Sequence, residues 1–292
     1  MPWLQLHLTT DKTRAPLLEL LLENLGALSV TLGDAADEAL LEPAPGELPL
    51  WQRTRVTGLF DGATDPDWLR GEISRALHTD SALELQLEEL PERQWERTWL
   101  DDFQPMRFGE SLWICPDGQR PEASEGIFID LDPGLAFGSG THPTTALCLR
   151  WLARHPLAGI TAMDFGCGSG ILAVAALRLG AARVVAVDHD PQALEATRAN
   201  ANKNGVLGGL QVLHSTATPE SKQDLVIANI LAGTLIELEP LLASRTRNGG
   251  RIILSGLLLP QVAEVSKVYK SHFDIRPPEV EGDWALIEGV KR

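Results

Sequence analysis

The first 90 or so residues alternate between strand-like and helix-like hydrophobic patterns. Apolar side chains occupy every second position over 3–8, as in a half-buried strand, whereas leucines recur at helical spacing over 14–25. Further strands are predicted at 28–33, 53–60 and 82–90, and a helix at 66–78. The order β-α-β followed by β-α-β predicts a small ferredoxin-like α+β domain.

A different pattern begins near residue 143, where strands and helices alternate regularly. Helices are predicted at 143–154, 170–179, 191–204, 232–244 and 259–271. Strands are predicted at 160–165, 183–188, 210–214, 224–229, 250–255, 273–278 and 283–290. This alternation predicts an α/β fold with a doubly wound, mostly parallel sheet whose last strand returns antiparallel. Between the two patterns, a helix is expected at 95–100 and short strands at 111–115 and 126–131.

Charge and composition narrow the partners that the chain can have. Its formal net charge is −15, and residues 1–100 carry 18 acidic against 8 basic side chains. Nucleic-acid binding needs cations that displace phosphate counterions, so this charge argues against it. The charge fits either a basic protein partner or an acidic surface that serves only solubility. No apolar run reaches the roughly 18 residues that span a bilayer, and no signal-peptide pattern opens the chain. Three cysteines without metal-ligand spacing predict no metal site and fit a reducing cytoplasm.

A glycine-rich turn after the strand at 160–165 carries the clearest chemical signal. Asp164-Phe165 runs into Gly166-Cys167-Gly168-Ser169-Gly170, and a helix follows at once. Asp188 ends the next strand, where doubly wound folds place a carboxylate against ribose hydroxyls. A nucleoside cofactor is therefore predicted. The alternate-glycine spacing differs from the dinucleotide fingerprint of NAD enzymes and resembles the first motif of S-adenosyl-L-methionine (AdoMet) methyltransferases.

Asn229 ends the buried strand at 224–229 and is followed by Ile230-Leu231. Related methyltransferases hold the departing methyl group beside this strand end, and an asparagine there resembles enzymes that methylate nitrogen. Its amide oxygen can accept a hydrogen bond from an amine and orient the lone pair. The alternative is that Asn229 caps the following helix.

The segment at 133–145 makes the resemblance specific. Its AFGSGTHPTT run is followed by DFGCGSG, VDHDPQA and ANILA in the order and spacing of the PrmA family, which methylates the eleventh protein of the large ribosomal subunit. The segments MPWLQL, QWERTWLDDFQP and LWICP extend the similarity over essentially the whole chain. From pattern alone, the same segment also fits a helix cap at Thr141 with Pro143 in the first turn.

The resemblance implies a domain plan and an activity. Residues 1–92 would recognise the substrate, 93–104 would form a linker helix and 105–292 would hold a Rossmann-like class I methyltransferase domain. The expected protein is a cytoplasmic monomer that trimethylates lysine side chains and the N-terminal α-amino group of a basic ribosomal protein, without direct nucleic-acid or membrane binding.

Site residues follow from the same motifs. Thr145, Gly166, Asp188 and Asn229 would contact AdoMet, and Asn229 would also align the acceptor nitrogen. Secondary contacts are expected from Phe137, Thr141 and Gly168, and His142 is expected to have a structural role rather than to act as a base. Two other functions stay compatible with the motifs: a small-molecule or nucleic-acid N-methyltransferase, and a non-catalytic AdoMet-binding module.

Overall fold

A computed structural model of the chain describes residues 3–36, 50–77, 85–90, 104–116, 119–121, 125–131 and 140–292. The chain forms two compact units, Met1–Trp99 and Leu100–Arg292. The boundary between them falls inside the predicted linker at 93–104. The predicted helix at 95–100 and the predicted contact Phe137 lie outside the described residues.

The N-terminal unit is a four-stranded antiparallel sheet with two helices. Its elements are β1 (Trp3–Asp11), α1 (Ala15–Asn24), β2 (Ser29–Asp34), β3 (Arg53–Asp61), α2 (Pro66–Leu77) and β4 (Leu85–Leu90). The strand order is β2-β3-β1-β4. Leu4, Leu6 and Leu8 of β1 are buried in the core of this unit, as the alternation predicted. The order confirms the ferredoxin-like prediction.

The second unit opens with a small three-stranded sheet. Its strands are β5 (Met106–Phe108), β6 (Leu112–Pro116) and β7 (Ile127–Leu131). Strand β6 pairs antiparallel with β5 and parallel with β7. The strands predicted at 111–115 and 126–131 are thus present with a shift of one residue.

The main sheet of the second unit has eight strands. Its strands are β8 (Thr161–Phe165), β9 (Arg183–Asp188), β10 (Leu210–His214), β11 (Gln223–Asn229), β12 (Thr246–Leu258), β13 (Phe273–Ile275), β14 (Glu279–Glu281) and β15 (Trp284–Lys291). Its helices are α3 (Pro143–Arg154), α4 (Ile171–Arg178), α5 (Pro191–Lys203), α6 (Ala232–Arg245) and α7 (Val262–Tyr269). The order β10-β9-β8-β11-β12-β15-β13 runs parallel as far as β12, and β15 is antiparallel to β12. The doubly wound prediction is therefore confirmed, including its antiparallel last strand.

Both faces of the main sheet are buried. Successive residues of β8, Ala162 and Met163, pack into two different hydrophobic cores, one on each face. Two-sided burial explains why the inner strands are continuously apolar rather than alternating. Within the main sheet, the sequence missed one short strand, β14, and joined a 3-10 turn at Leu259–Gln261 to the helix that begins at Val262.

Candidate active site

A cavity of about 650 Å³ opens where the parallel strands of the main sheet end. It is lined by His142, Thr144, Phe165, Gly166, Asp188, His189, Ser215, Asn229, Ile230, Leu231, Thr234, Leu238, Gly256 and Trp284. Ends of β8, β9, β10 and β11 contribute to this wall. The crevice beyond the carboxyl ends of the strands is the place where open α/β sheets bind their ligands.

The glycine loop between β8 and α4 needs its glycines for backbone shape. Gly166, Gly168 and Gly170 have φ of +78°, +53° and +77°, a left-handed conformation that costs other residues energy. Gly166 also lacks space for a side chain, since a β carbon there would lie 2.3 Å from Cγ2 of Ile230. The backbone N–H of Gly166 donates to the Val187 carbonyl at 2.8 Å, which fixes the loop to β9.

Asp188 is held in place by backbone donors at the end of β9. One carboxylate oxygen accepts from the N–H of Gly168 at 2.9 Å. The other accepts from the N–H groups of His189 at 2.7 Å and Asp190 at 3.1 Å. An ionised carboxylate has about four acceptor positions, so the oxygen facing Gly168 retains capacity for one more donor. Asp188 therefore connects the glycine loop to the end of β9 by a hydrogen bond. It also lines the cavity and can accept one more hydrogen bond there.

Asp164, the acid before the glycine loop, lies beneath the cavity wall. It is 1% exposed, and its Oδ2 accepts from the N–H of Ala173 at 3.0 Å in the first turn of α4. Its Oδ1 has no hydrogen-bond partner among the described residues. Burial raises the pKa of the Asp164 carboxyl to about 7, with a smaller contribution from the nearby Asp188 charge. Asp164 is thus a buried acid poised to be protonated near neutral pH.

Two polar side chains of α5 hold the glycine loop from behind. The Thr197 hydroxyl donates to the Gly168 carbonyl at 2.9 Å, and the Asn200 amide donates to the Ser169 carbonyl at 2.8 Å. Both side chains are buried. The sequence motifs did not single out these two residues. Their spacing of three on a helix, beside buried alanines, is the signal that would have placed them on one inward face.

Asn229 meets the start of α3 rather than capping α6. Its amide donates to the Thr145 hydroxyl at 3.3 Å, a contact between residues 84 positions apart. Thr145 is 1% exposed and does not line the cavity, so it lies behind Asn229. The N-cap of α6 is Leu231, which makes no side-chain capping bond. The helix-cap alternative for Asn229 is therefore wrong.

His142, not Thr141, caps α3. Its Nδ1 accepts from the N–H of Thr144 at 3.4 Å, and Pro143 follows in the first turn. The prediction of a cap at Thr141 was thus wrong by one residue, and Thr141 is exposed outside the cavity lining. Burial lowers the pKa of His142, and its ring packs edge-on against Trp284 with centroids 4.7 Å apart. His142 therefore combines a structural cap with a neutral ring on the cavity wall.

Of the residues predicted from sequence, Gly166, Asp188 and Asn229 line one cavity. Beyond these and His142, ten lining residues were not predicted as site residues, namely Thr144, Phe165, His189, Ser215, Ile230, Leu231, Thr234, Leu238, Gly256 and Trp284. Ser215 follows β10 as Asp188 ends β9, so the rule that ligands meet strand ends could have found it. Trp284 opens the antiparallel β15, and its place depends on how that strand folds back.

Comparisons with known proteins agree with this geometry. The model of the family "Ribosomal protein L11 methyltransferase (PrmA)" matches residues 2–292. The ribosomal protein L11 methyltransferase of Hahella chejuensis is 49% identical over 99% of this chain and 98% of its own length. That of Alkalilimnicola ehrlichii is 49% identical over 100% of both chains.

A solved structure shares the fold over part of this chain. The ribosomal protein L11 methylase of Lactobacillus delbrueckii subsp. bulgaricus is 32% identical, with a TM-score of 0.60 over 65% of this chain and 99% of that one. Whole-length similarity and shared architecture therefore lead to one conclusion. The chain belongs to the ribosomal protein L11 methyltransferase family, whose members are AdoMet-dependent methyltransferases.

Proposed function

We propose that this protein methylates ribosomal protein L11, transferring methyl groups to lysine side chains and to the N-terminal α-amino group up to the trimethyl state. The meeting of Gly166, Asp188 and Asn229 in one cavity carries the proposal. This one cavity thus holds the residues that the sequence assigned to the cofactor and the residue that it assigned to the acceptor nitrogen. The substrate comes from the relatives, whose names specify ribosomal protein L11.

The cavity residues fit AdoMet. Asp188 has an acceptor position left for a ribose hydroxyl, and Gly166 presents bare backbone to the ligand. Asn229, fixed by Thr145, adds an amide at the neighbouring strand end. In this proposal Gly166, Asp188 and Asn229 contact the cofactor. Thr145, predicted as a contact, acts through Asn229 instead, and Gly168 is in support. When bound, AdoMet supplies a methyl group already activated by its sulfonium.

The protein must present the acceptor amine in its neutral form. A free lysine, with a pKa of about 10.4, is neutral only to about one part in a thousand at pH 7, whereas an α-amino group near 8 loses its proton more readily. The apolar side chains of Ile230, Leu231 and Leu238 surround the cavity, and desolvation there favours the neutral amine. Asn229 can then align the nitrogen through its amide oxygen. The chain's own contribution is orientation and exclusion of water.

The N-terminal unit is the proposed recognition domain. Residues 1–92 carry 17 acidic and 6 basic side chains. Such a charge attracts a basic ribosomal protein and disfavours direct binding to nucleic acid. We assign 93–104 to the linker and 105–292 to catalysis. No helix among the described residues is long and apolar enough to cross a membrane. We also propose that the protein is a cytoplasmic monomer.

The test is incubation of the full chain with methyl-labelled AdoMet and total ribosomes, followed by mass spectrometry of proteins and RNA. Label on L11 lysines and on its N-terminus supports the proposal. Label on RNA, or on no component, rejects it and favours a nucleic-acid methyltransferase or a non-catalytic module. Asp188→Ala should strongly reduce transfer, whereas Glu195→Gln, which replaces an exposed acid of α5, should leave it unchanged.

A further inference from the structure

Ile230 lies between two glycines that belong to different parts of the cavity wall. Gly166 begins the glycine loop, and Gly256 lies in β12 next to Ser255, the residue that pairs with Asn229. Both glycines have left-handed backbones, with φ of +78° and +83°. Ile230 and the two glycines all line the cavity. Ile230 therefore stands at the junction of the glycine loop, β11 and β12.

The contact with Gly166 is made by the Ile230 side chain. A β carbon built on Gly166 would lie 2.3 Å from Ile230 Cγ2 but 3.8 Å from Ile230 Cβ. The second distance is ordinary carbon–carbon contact, whereas the first is a severe overlap. A side chain at residue 166 would thus collide with a single methyl group.

The contact with Gly256 is made by the Ile230 backbone. A β carbon built on Gly256 would lie 2.4 Å from the Ile230 carbonyl oxygen and 2.9 Å from its nitrogen. That nitrogen donates to the Ser255 carbonyl at 3.2 Å. The pairing of β12 with β15 is irregular between Leu254 and Leu257, which marks a bulge at this point. Because of the bulge and the missing side chain at Gly256, the Ile230 backbone can pack directly against β12.

We infer that Ile230 is a positioning residue that sets the spacing between the cofactor loop and the acceptor side of the cavity. The Ile230 side chain sets the distance to the glycine loop. Gly256 sets how closely the Ile230 backbone can approach β12. The inference rests on the proposed function, which assigns the loop to AdoMet and the adjoining Asn229 to the acceptor amine. A displaced Ile230 peptide would move Asn229, and misplacement by about 1 Å costs roughly 100-fold in rate.

The first experiment measures AdoMet and S-adenosylhomocysteine affinity of the full chain by calorimetry. Gly166→Ala weakens both by about tenfold or more, since it adds a left-handed alanine to the collision. Adding Ile230→Ala restores the part of the affinity lost to the collision, because it removes Cγ2, while the cost of the left-handed alanine remains. Adding Ile230→Val does not, because valine keeps both γ carbons. Equal recovery with alanine and valine, or recovery with neither, would overturn the inference.

The second experiment compares kcat with cofactor affinity in Gly256→Ala. We expect kcat to fall about 100-fold, whereas AdoMet affinity, to which Asn229 is only one contributor, should fall by less than about tenfold. Ile230→Ala does not restore this variant, because the collision is with backbone atoms. The matched control is Gly249→Ala, in the same strand with φ of +73° and no atom within 4 Å of the added carbon. It leaves both quantities unchanged. Parallel losses of kcat and affinity in Gly256→Ala would contradict the positioning role.

The two experiments separate this inference from the proposed function. AdoMet affinity, and its recovery in the Ile230→Ala double variant, are measured without any methyl acceptor. If the wild-type chain fails to methylate L11, the proposed function is rejected, but the affinity results still test the role of Ile230. If Gly256→Ala does not fold, the contrast between alanine and valine at residue 230 decides the inference by itself.

Discussion

Replacement of Asp164 by asparagine tests whether a charged carboxylate is buried under the glycine loop. Asparagine keeps an oxygen for the Ala173 N–H and cannot ionise. The wild-type carboxyl has its pKa raised from 3.8 to about 7 by burial. The folded state therefore holds this proton more tightly than the unfolded state does. Its contribution to the free energy of unfolding falls as the pH rises from about 4 to about 7, and then levels off.

The magnitude follows from the pKa difference. Each pKa unit is worth about 1.36 kcal/mol, so full ionisation of Asp164 costs the folded protein about 4 kcal/mol. Between pH 5 and pH 8, the difference in stability between Asp164→Asn and the wild-type chain should shift by about 3 kcal/mol in favour of the variant. Other titrating groups are common to both proteins and cancel in the comparison.

Urea denaturation of the cofactor-free chain at several pH values measures this difference. Glu195→Gln serves as the control, because Glu195 is exposed on α5 and its variant should follow the wild-type pH dependence. Parallel stability curves for Asp164→Asn and the wild-type chain from pH 5 to pH 8 would refute the reasoning. They would mean that the carboxyl at this position is solvated or paired in the folded state.

Three further variants test the site and its support. Asn200→Ala removes the 2.8 Å hydrogen bond to the Ser169 carbonyl and should lower the free energy of unfolding by about 1 kcal/mol in thermal denaturation. Asn202→Ala, exposed on the same helix, should change it by less than about 0.5 kcal/mol. Asp188→Ala should weaken AdoMet binding in calorimetry by about tenfold or more, and unchanged affinity would reject its ribose role. Tyr269→Phe removes the 2.8 Å bond from the buried hydroxyl to the Leu235 carbonyl and should cost about 1 kcal/mol in the same denaturation assay; a variant as stable as wild type would show that this bond contributes nothing.

The fold was largely predictable because its signals are local. Alternation in β1, the apolar inner strands and the glycine turns depend on neighbours in sequence, so pattern alone located them. Boundaries were harder where tertiary contacts extend an element. Strand β12 runs from Thr246 to Leu258, well beyond the predicted 250–255, because pairing partners on both sides continue it.

The residues of the candidate site were also predictable only where the signal is local in sequence. Gly166, Asp188 and Asn229 were identifiable because each follows directly from a strand end, and parallel strands bring their carboxyl ends to one edge. The partners that hold them were not. The contact of Asn229 with Thr145 joins residues 84 positions apart, and a periodic pattern carries no information about which distant side chains meet.

The sequence by itself determined the fold class, the family and the residues at the strand ends, because glycine spacing and hydrophobic periodicity act over a few residues. Only the tertiary structure decided how those residues are supported. It showed Asn200 behind the glycine loop, Asp164 buried with an unpartnered oxygen among the described residues, and Ile230 held between Gly166 and Gly256. These contacts depend on close packing between separate elements, where a difference of one methyl group changes what fits.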